Sequence, residues 1–142
     1  MIHLKKHSLN LILFLIPCVL YSGCALFTES KEKLAKYCPG LKVDLNNVNI
    51  KSNANNNESR VSYILGYNAD NEQEVEDYFM NGNHGYTTLR DNAFFIREDK
   101  EKEALSDVDI AVGKTIDHHK THTIVVFNKS KSRIIIIETT KG

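Results

Sequence analysis

The chain contains no tryptophan and only two prolines, and its 18 basic residues balance 18 acidic ones to a formal charge of zero. A neutral balance gives no electrostatic footprint for nucleic acid, so that class of partner is excluded first. Cysteine is scarce as well, at positions 18, 24 and 38. A dithiol redox role needs a second cysteine close to the first, and Cys38 has none near it in sequence. Hydrolytic machinery is missing too: there is no Gly-x-Ser-x-Gly elbow to present a nucleophile, and Gly82-Asn83-His84-Gly85 is too poor in glycine to cradle a phosphate. It reads as a turn with His84 exposed. No internal repeat is visible. Together these absences point away from an enzyme and away from any cofactor.

What is present begins at the amino end. Lys5 and Lys6 precede an almost unbroken apolar run from Leu9 to Tyr21, and the small residues Ser22 and Gly23 then lead into Cys24. Spanning a bilayer takes about 20 apolar residues, whereas a secretory h-region takes about 7 to 15, so the run fits an export signal. The stretch Leu20-Tyr21-Ser22-Gly23-Cys24 resembles the lipobox of bacterial lipoproteins, with Tyr21 standing where leucine is common. That resemblance implies cleavage between Gly23 and Cys24, a diacylglycerol thioether on the Cys24 sulfur, and an acyl chain such as palmitate on the new amino terminus. One acyl chain binds a membrane marginally; two or more hold it stably. Ala25 rather than aspartate follows the cysteine, which in a Gram-negative cell resembles the outer-membrane default, facing the periplasm. The same residues also fit an uncleaved anchor helix or an ordinary secretory signal in which Cys24 is a bystander.

The expected organisation is a signal peptide over 1–23, a lipidated tether over 24–28 and one globular domain over 29–142. Removing 23 of 142 residues leaves 119, enough for a single core, and losing Lys5 and Lys6 but no acid gives a mature charge of −2. Cys38 is then the one thiol left apart from the lipidated one. It is either buried and inert or pairs between chains, and its place beside Leu34 and Tyr37 favours burial.

Periodicity predicts an α+β fold: a small antiparallel sheet of about five or six strands with one or two covering helices. Leu34 and Tyr37 among charged residues predict a short helix from Glu29, stopped by Pro39 and Gly40. Apolar alternation at Leu41, Val43 and Leu45 slips phase to Val48 and Ile50, which predicts a bulge or tight turn at Asn46-Asn47. The polar stretch Lys51 to Ser59 reads as a loop. Val61, Tyr63, Leu65 and Tyr67 share one strand face. Val75, Tyr78 and Phe79 predict a helix over 70–80, capped by Asp70 or Asn71 and ended at Gly82. Beyond it, Ala93 to Ile96 is a further apolar run and Glu98 to Glu103 a loop or single turn. Val108, Ile110 and Val112, then Ile124 to Phe127, then Ile134 to Ile137 read as a three-strand meander. The unalternated isoleucines should lie centrally, with both faces covered.

One polar cluster stands out, Asp117-His118-His119-Lys120-Thr121-His122. Three imidazoles and a carboxylate are competent ligands for Zn²⁺ or Cu²⁺, but the spacing matches no metal motif, and β-branched neighbours predict a hairpin tip where His118 and His119 diverge. A solvated turn is expected, with no metal. The glutamates at 72, 74 and 76 read as a wet helix face. Surface recognition is what remains: an accessory or structural lipoprotein of an envelope assembly, held to the membrane by its lipid and binding another envelope or secreted protein. The alternative is a periplasmic inhibitor or immunity protein that neutralises an enzyme or toxin.

Overall fold

The computed structural model describes residues 23–88, 111–129 and 131–142. The n-region, the apolar run, Leu20 to Ser22 of the lipobox, and the segments at 93–96, 98–103, 108 and 110 lie outside them. The chain is α+β, as the periodicity predicts. Helix α1 occupies residues 23–37. The strands are β1 (Leu45–Ala54), β2 (Glu58–Tyr67), β3 (Thr87–Thr88), β4 (Ala111–His118), β5 (Thr121–Asn128) and β6 (Arg133–Lys141), and the short helix α2 (Glu72–Glu76) lies between β2 and β3. The strands form one antiparallel sheet in the order β1-β2-β6-β5-β4-β3. Among the described residues, no helix is long and apolar enough to cross a membrane.

Alternation decides which side chains meet the helices. Tyr63 and Leu65 of β2 lie opposite Ile136 and Ile134 of β6, which in turn lie opposite Val125 and Phe127 of β5. These residues form the core together with Leu34, Tyr37 and Cys38 at the end of α1, Leu41, and Val75 and Phe79 from the α2 region. Phe79 stacks on Phe127 at 4.9 Å and meets Tyr86 edge-on at 4.7 Å, which docks the second helical segment on the sheet. On the opposite face the centre is also dry, because Ile124, Val126, Ile135 and Ile137 are all buried. The isoleucine run therefore sits in a central strand with both faces covered, which is why it needs no polar alternation.

Local chemistry accounts for the irregular points. The register between β1 and β2 shifts between Leu45 and Asn47, so the bulge falls at Asn46. It is held not by left-handed backbone but by the Asn46 amide, which donates to the Tyr67 carbonyl at 3.1 Å. Gly66 lies opposite; a Cβ there would come within 2.9 Å of both the Arg133 guanidinium and the Asn46 carboxamide, so a side chain would have to displace the group that holds the bulge. Residues 41–44 precede the strand rather than joining it.

The polar stretch from Lys51 to Ser59 is ordered as hairpin, not loop. Lys51 to Ala54 extend β1, Glu58 and Ser59 begin β2, and only three asparagines form the turn. The Asn55 carboxamide closes it by accepting from the backbone N–H groups of Asn57 and Glu58.

The second helical segment is composite: a 3-10 turn at Ala69–Asn71, then α2, then a π turn at Asp77–Asn81. No side chain caps its start. Asn71 instead accepts from the backbone N–H of Asp44, tying the helix to the entry of β1. Gly82 ends the segment in ordinary right-handed geometry, and the left-handed turn residues are Asn83 (φ 56°) and Gly85 (φ 83°).

Candidate functional site

Cys24 lies on α1, not ahead of it. The helix expected from Glu29 already includes residues 23–28, so Gly23, Cys24 and the tether expected over 24–28 are helical. Cys24 is exposed, and its carbonyl accepts from the Thr28 hydroxyl at 2.8 Å.

Three side chains spaced by four along α1 fasten it to the sheet. Tyr63 of β2 donates its hydroxyl to the Glu29 carboxylate at 2.9 Å. Lys33 meets Glu138 of β6 at 2.8 Å and lies 5.8 Å above the Tyr63 ring. Tyr37 donates its hydroxyl to the other Glu138 oxygen and accepts from Thr123 of β5. The Glu138 side chain is only 11 % exposed, so its charge depends on these partners. Burial alone pulls the Lys33 ammonium down, but the hydrogen bond and charge of Glu138, with Tyr37 and Glu29, outweigh it and hold the pKa above the usual lysine value. Burial, reinforced by Glu29, also raises the Tyr63 phenol. The sequence signal for this cluster was the i, i+4, i+8 spacing of Glu29, Lys33 and Tyr37; their partners lie 34 to 105 residues away.

The histidine cluster is the tip of the β4–β5 hairpin. Its two-residue turn is His119-Lys120, with His119 at φ 52°. Asp117 and His122 are directly opposite across the ladder, and the His122 Nδ1 hydrogen-bonds the Asp117 carboxylate. His118 projects on the other face of the sheet. Yet the rings of His118 and His119 do not diverge as expected: their centroids are 4.3 Å apart in an edge-on contact, with His119 in the left-handed region. The cluster thus splits into an Asp117–His122 pair and a His118–His119 pair. Among the described residues, no three His, Cys, Asp or Glu side chains are grouped as a metal ion would require.

A shallow groove of about 520 Å³ adjoins the Asp117–His122 pair, bordered by Arg60, Thr121, Thr139 and Lys141. Arg60 is buried and donates to the Thr139 hydroxyl at 3.3 Å. Neither Arg60 nor Thr139 stood out in the sequence, since their meeting depends on the β2–β6 register.

The remaining candidates have structural surroundings. Cys38 is fully buried, its sulfur 3.7 Å from the Tyr86 hydroxyl, and burial pushes the thiol pKa up to about 11. His84 is exposed in its turn, stacked on Tyr78 at 4.0 Å, and its carbonyl accepts from Lys114. Glu76 is bridged to Lys129, and Glu72 accepts from Ser132, so two of the three helix acids hold the β5–β6 turn rather than facing open water. No family model, curated protein or solved structure matches the chain.

Proposed function

We propose that this chain is a lipid-anchored protein of the bacterial envelope, acylated at Cys24, that works by binding another envelope or secreted protein as an accessory or structural component of an assembly. The observation that carries the reading is the fastening of α1: the helix bearing Cys24 is bonded to three strands through Glu29, Lys33 and Tyr37. An anchor on that helix is part of the fold and presents the domain directly at the membrane, with no flexible linker between. The Lys33–Glu138, Lys129–Glu76 and Asp117–His122 pairs each join two elements of the fold, which supports a structural use of those charges. The β4–β5 hairpin supplies an exposed polar surface suited to recognition.

Acyl labelling tests the anchor. Cys24→Ser should leave an unprocessed precursor without label, whereas Cys18→Ser should be labelled normally; label surviving the loss of Cys24 refutes the anchored reading. Cross-linking of the native protein in cells, with a photoreactive residue at Lys120, should give one discrete adduct. Turnover of a peptidoglycan, ester or phosphate substrate by the purified protein, lost in His122→Ala, would replace binding with catalysis.

A further inference from the structure

The fastening of α1 also sets a direction. Its successive contacts fall on successive strands: Glu29 on Tyr63 of β2, Lys33 on Glu138 of β6, and Tyr37 on Glu138 of β6 and Thr123 of β5. From β2 to β5 is two strand spacings, roughly 9.6 Å, and the eight residues from Glu29 to Tyr37 rise about 12 Å along a helix axis. The helix therefore crosses the strands, with its amino end toward β1. Continuing backward from Glu29 to Cys24 adds about 7.5 Å, more than the single spacing of about 4.8 Å between β2 and β1. The very start of α1, at Cys24, thus overhangs the β1 edge.

Two features there suit a lipid surface. Leu26, just after that start and four residues before buried Ser30 on the same stripe of α1, is 45 % exposed. Beneath it, β1 is ten residues long, has a strand partner on one side only among the described residues, and carries no carboxylate; its single charge is Lys51. Lys31 and Lys42 border the groove between α1 and the start of β1, with Asp44 as the acid there.

We infer that the amino-terminal turns of α1 and the β1 edge form the face that rests on the membrane, with Leu26 entering the interfacial layer and the β1 edge lying along the headgroups. This rests on acylation of Cys24, proposed above. A diacylglycerol on Cys24 fixes that residue at headgroup depth, and Leu26, about 3 Å further along a rigid helix, falls within the 5–10 Å zone that interfacial apolar groups occupy. The backbone groups of β1 remain in a hydrated layer and lose no hydrogen-bonding partners there. Contact with the surface also shields the β1 edge from pairing with other chains.

The test uses the acylated mature protein in vesicles of phosphatidylethanolamine and phosphatidylglycerol. A fluorophore is attached either at Ser52→Cys on β1 or at Thr115→Cys on β4, both exposed positions, and headgroup spin-labelled lipid serves as quencher. Quenching at position 52 should exceed that at 115 by at least threefold, and Leu26→Glu should reduce the ratio toward one. Equal quenching at the two positions, or stronger quenching at 115, overturns the orientation. Intact mass and flotation are read on the same samples. Acylated, floating protein with equal quenching refutes only the orientation, whereas protein that is neither acylated nor membrane-bound refutes the anchored reading and this one together.

Discussion

Tyr37→Phe isolates the fastening of α1 in a single atom. The substitution keeps the ring in the core and removes a hydroxyl that donates to Glu138 and accepts from Thr123. Glu138 retains Lys33, so the loss on that side is one hydrogen bond to a charged group, about 1.5–3 kcal/mol. Thr123 is only 2 % exposed and loses the acceptor of its hydroxyl in a dry setting, which adds about 1 kcal/mol or more and places the total at no less than about 2.5 kcal/mol. For a domain of this size that is a fall of roughly 10 °C in Tm. Urea unfolding of a soluble domain starting at Ala25, followed by far-UV circular dichroism, measures it. Because the bond joins a helix to a strand, Tyr37→Phe and Glu138→Gln should be coupled by about 1–2 kcal/mol in a double-mutant cycle. Tyr63→Phe should cost less, about 0.5–1.5 kcal/mol, since its acceptor Glu29 is exposed and can turn to water. A Tyr37→Phe cost below about 0.5 kcal/mol, or additive effects in the cycle, would mean that the network does not hold the helix, and the membrane orientation would lose its basis.

Chelation should leave the thermal midpoint of the mature protein unchanged, since a structural zinc would contribute on the order of 10 kcal/mol to folding; a large drop would restore the His118, His119, His122 and Asp117 cluster as a site. Replacing His118 and His119 together with Ala should cost under about 1 kcal/mol in urea unfolding, because both are exposed at a hairpin tip and lose only a ring contact. Stability should fall in alkaline solution over the range set by Cys38, whose thiol is raised by burial from 9.0 to about 11. The unfolded thiol ionises first, so the folded state holds the extra proton, and up to about 1.4 kcal/mol is lost per pH unit between those values. The Cys38→Ala protein should show a shallower decline above pH 9 than wild type, and identical slopes would refute the assignment.

Much of the fold was legible because burial leaves a periodic trace. The isoleucine run at 134–137 announced a strand covered on both sides, and the phase slip at Asn46-Asn47 announced the bulge, since one extra residue must shift every later side chain by one face. The hairpin of β1 and β2 was not legible beyond Ile50, because an edge strand that buries little needs no apolar alternation; its order comes from backbone pairing and the Asn55 turn, which hydropathy does not record. The lost helix cap has a similar cause: Asn71 had a choice of donors, and the N–H of Asp44, 27 residues away, took its oxygen. The site divides in the same way. Cys24 was marked by its neighbours in sequence, whereas the Glu29, Lys33 and Tyr37 stripe acquires meaning only from Tyr63, Thr123 and Glu138, which tertiary register brings to it.

The rigid fastening also bears on which kind of partner fits best. A flexible tether of n residues lets a domain explore a distance growing as about 5–6 Å times the square root of n, so a long linker sends a lipoprotein out into the periplasm. Here the helix that bears Cys24 is already bonded to the sheet at Glu29, five residues later, and nothing between them can act as a hinge of any length. On the proposed anchoring, the reach of the domain is its own diameter, roughly 35 Å from a radius of gyration near 13 Å for the 119 residues from Cys24 on. A neutraliser of diffusing toxins gains from reach, because capture rate rises with the volume swept. A component of an assembly gains from the opposite property, a fixed orientation that spares the entropy of ordering the domain each time it docks. With the β1 edge against the lipid, β4 and its hairpin lie four strand spacings away, about 19 Å, and present the same surface to any neighbour embedded in the same membrane. The balance favours a partner that is itself held at the membrane.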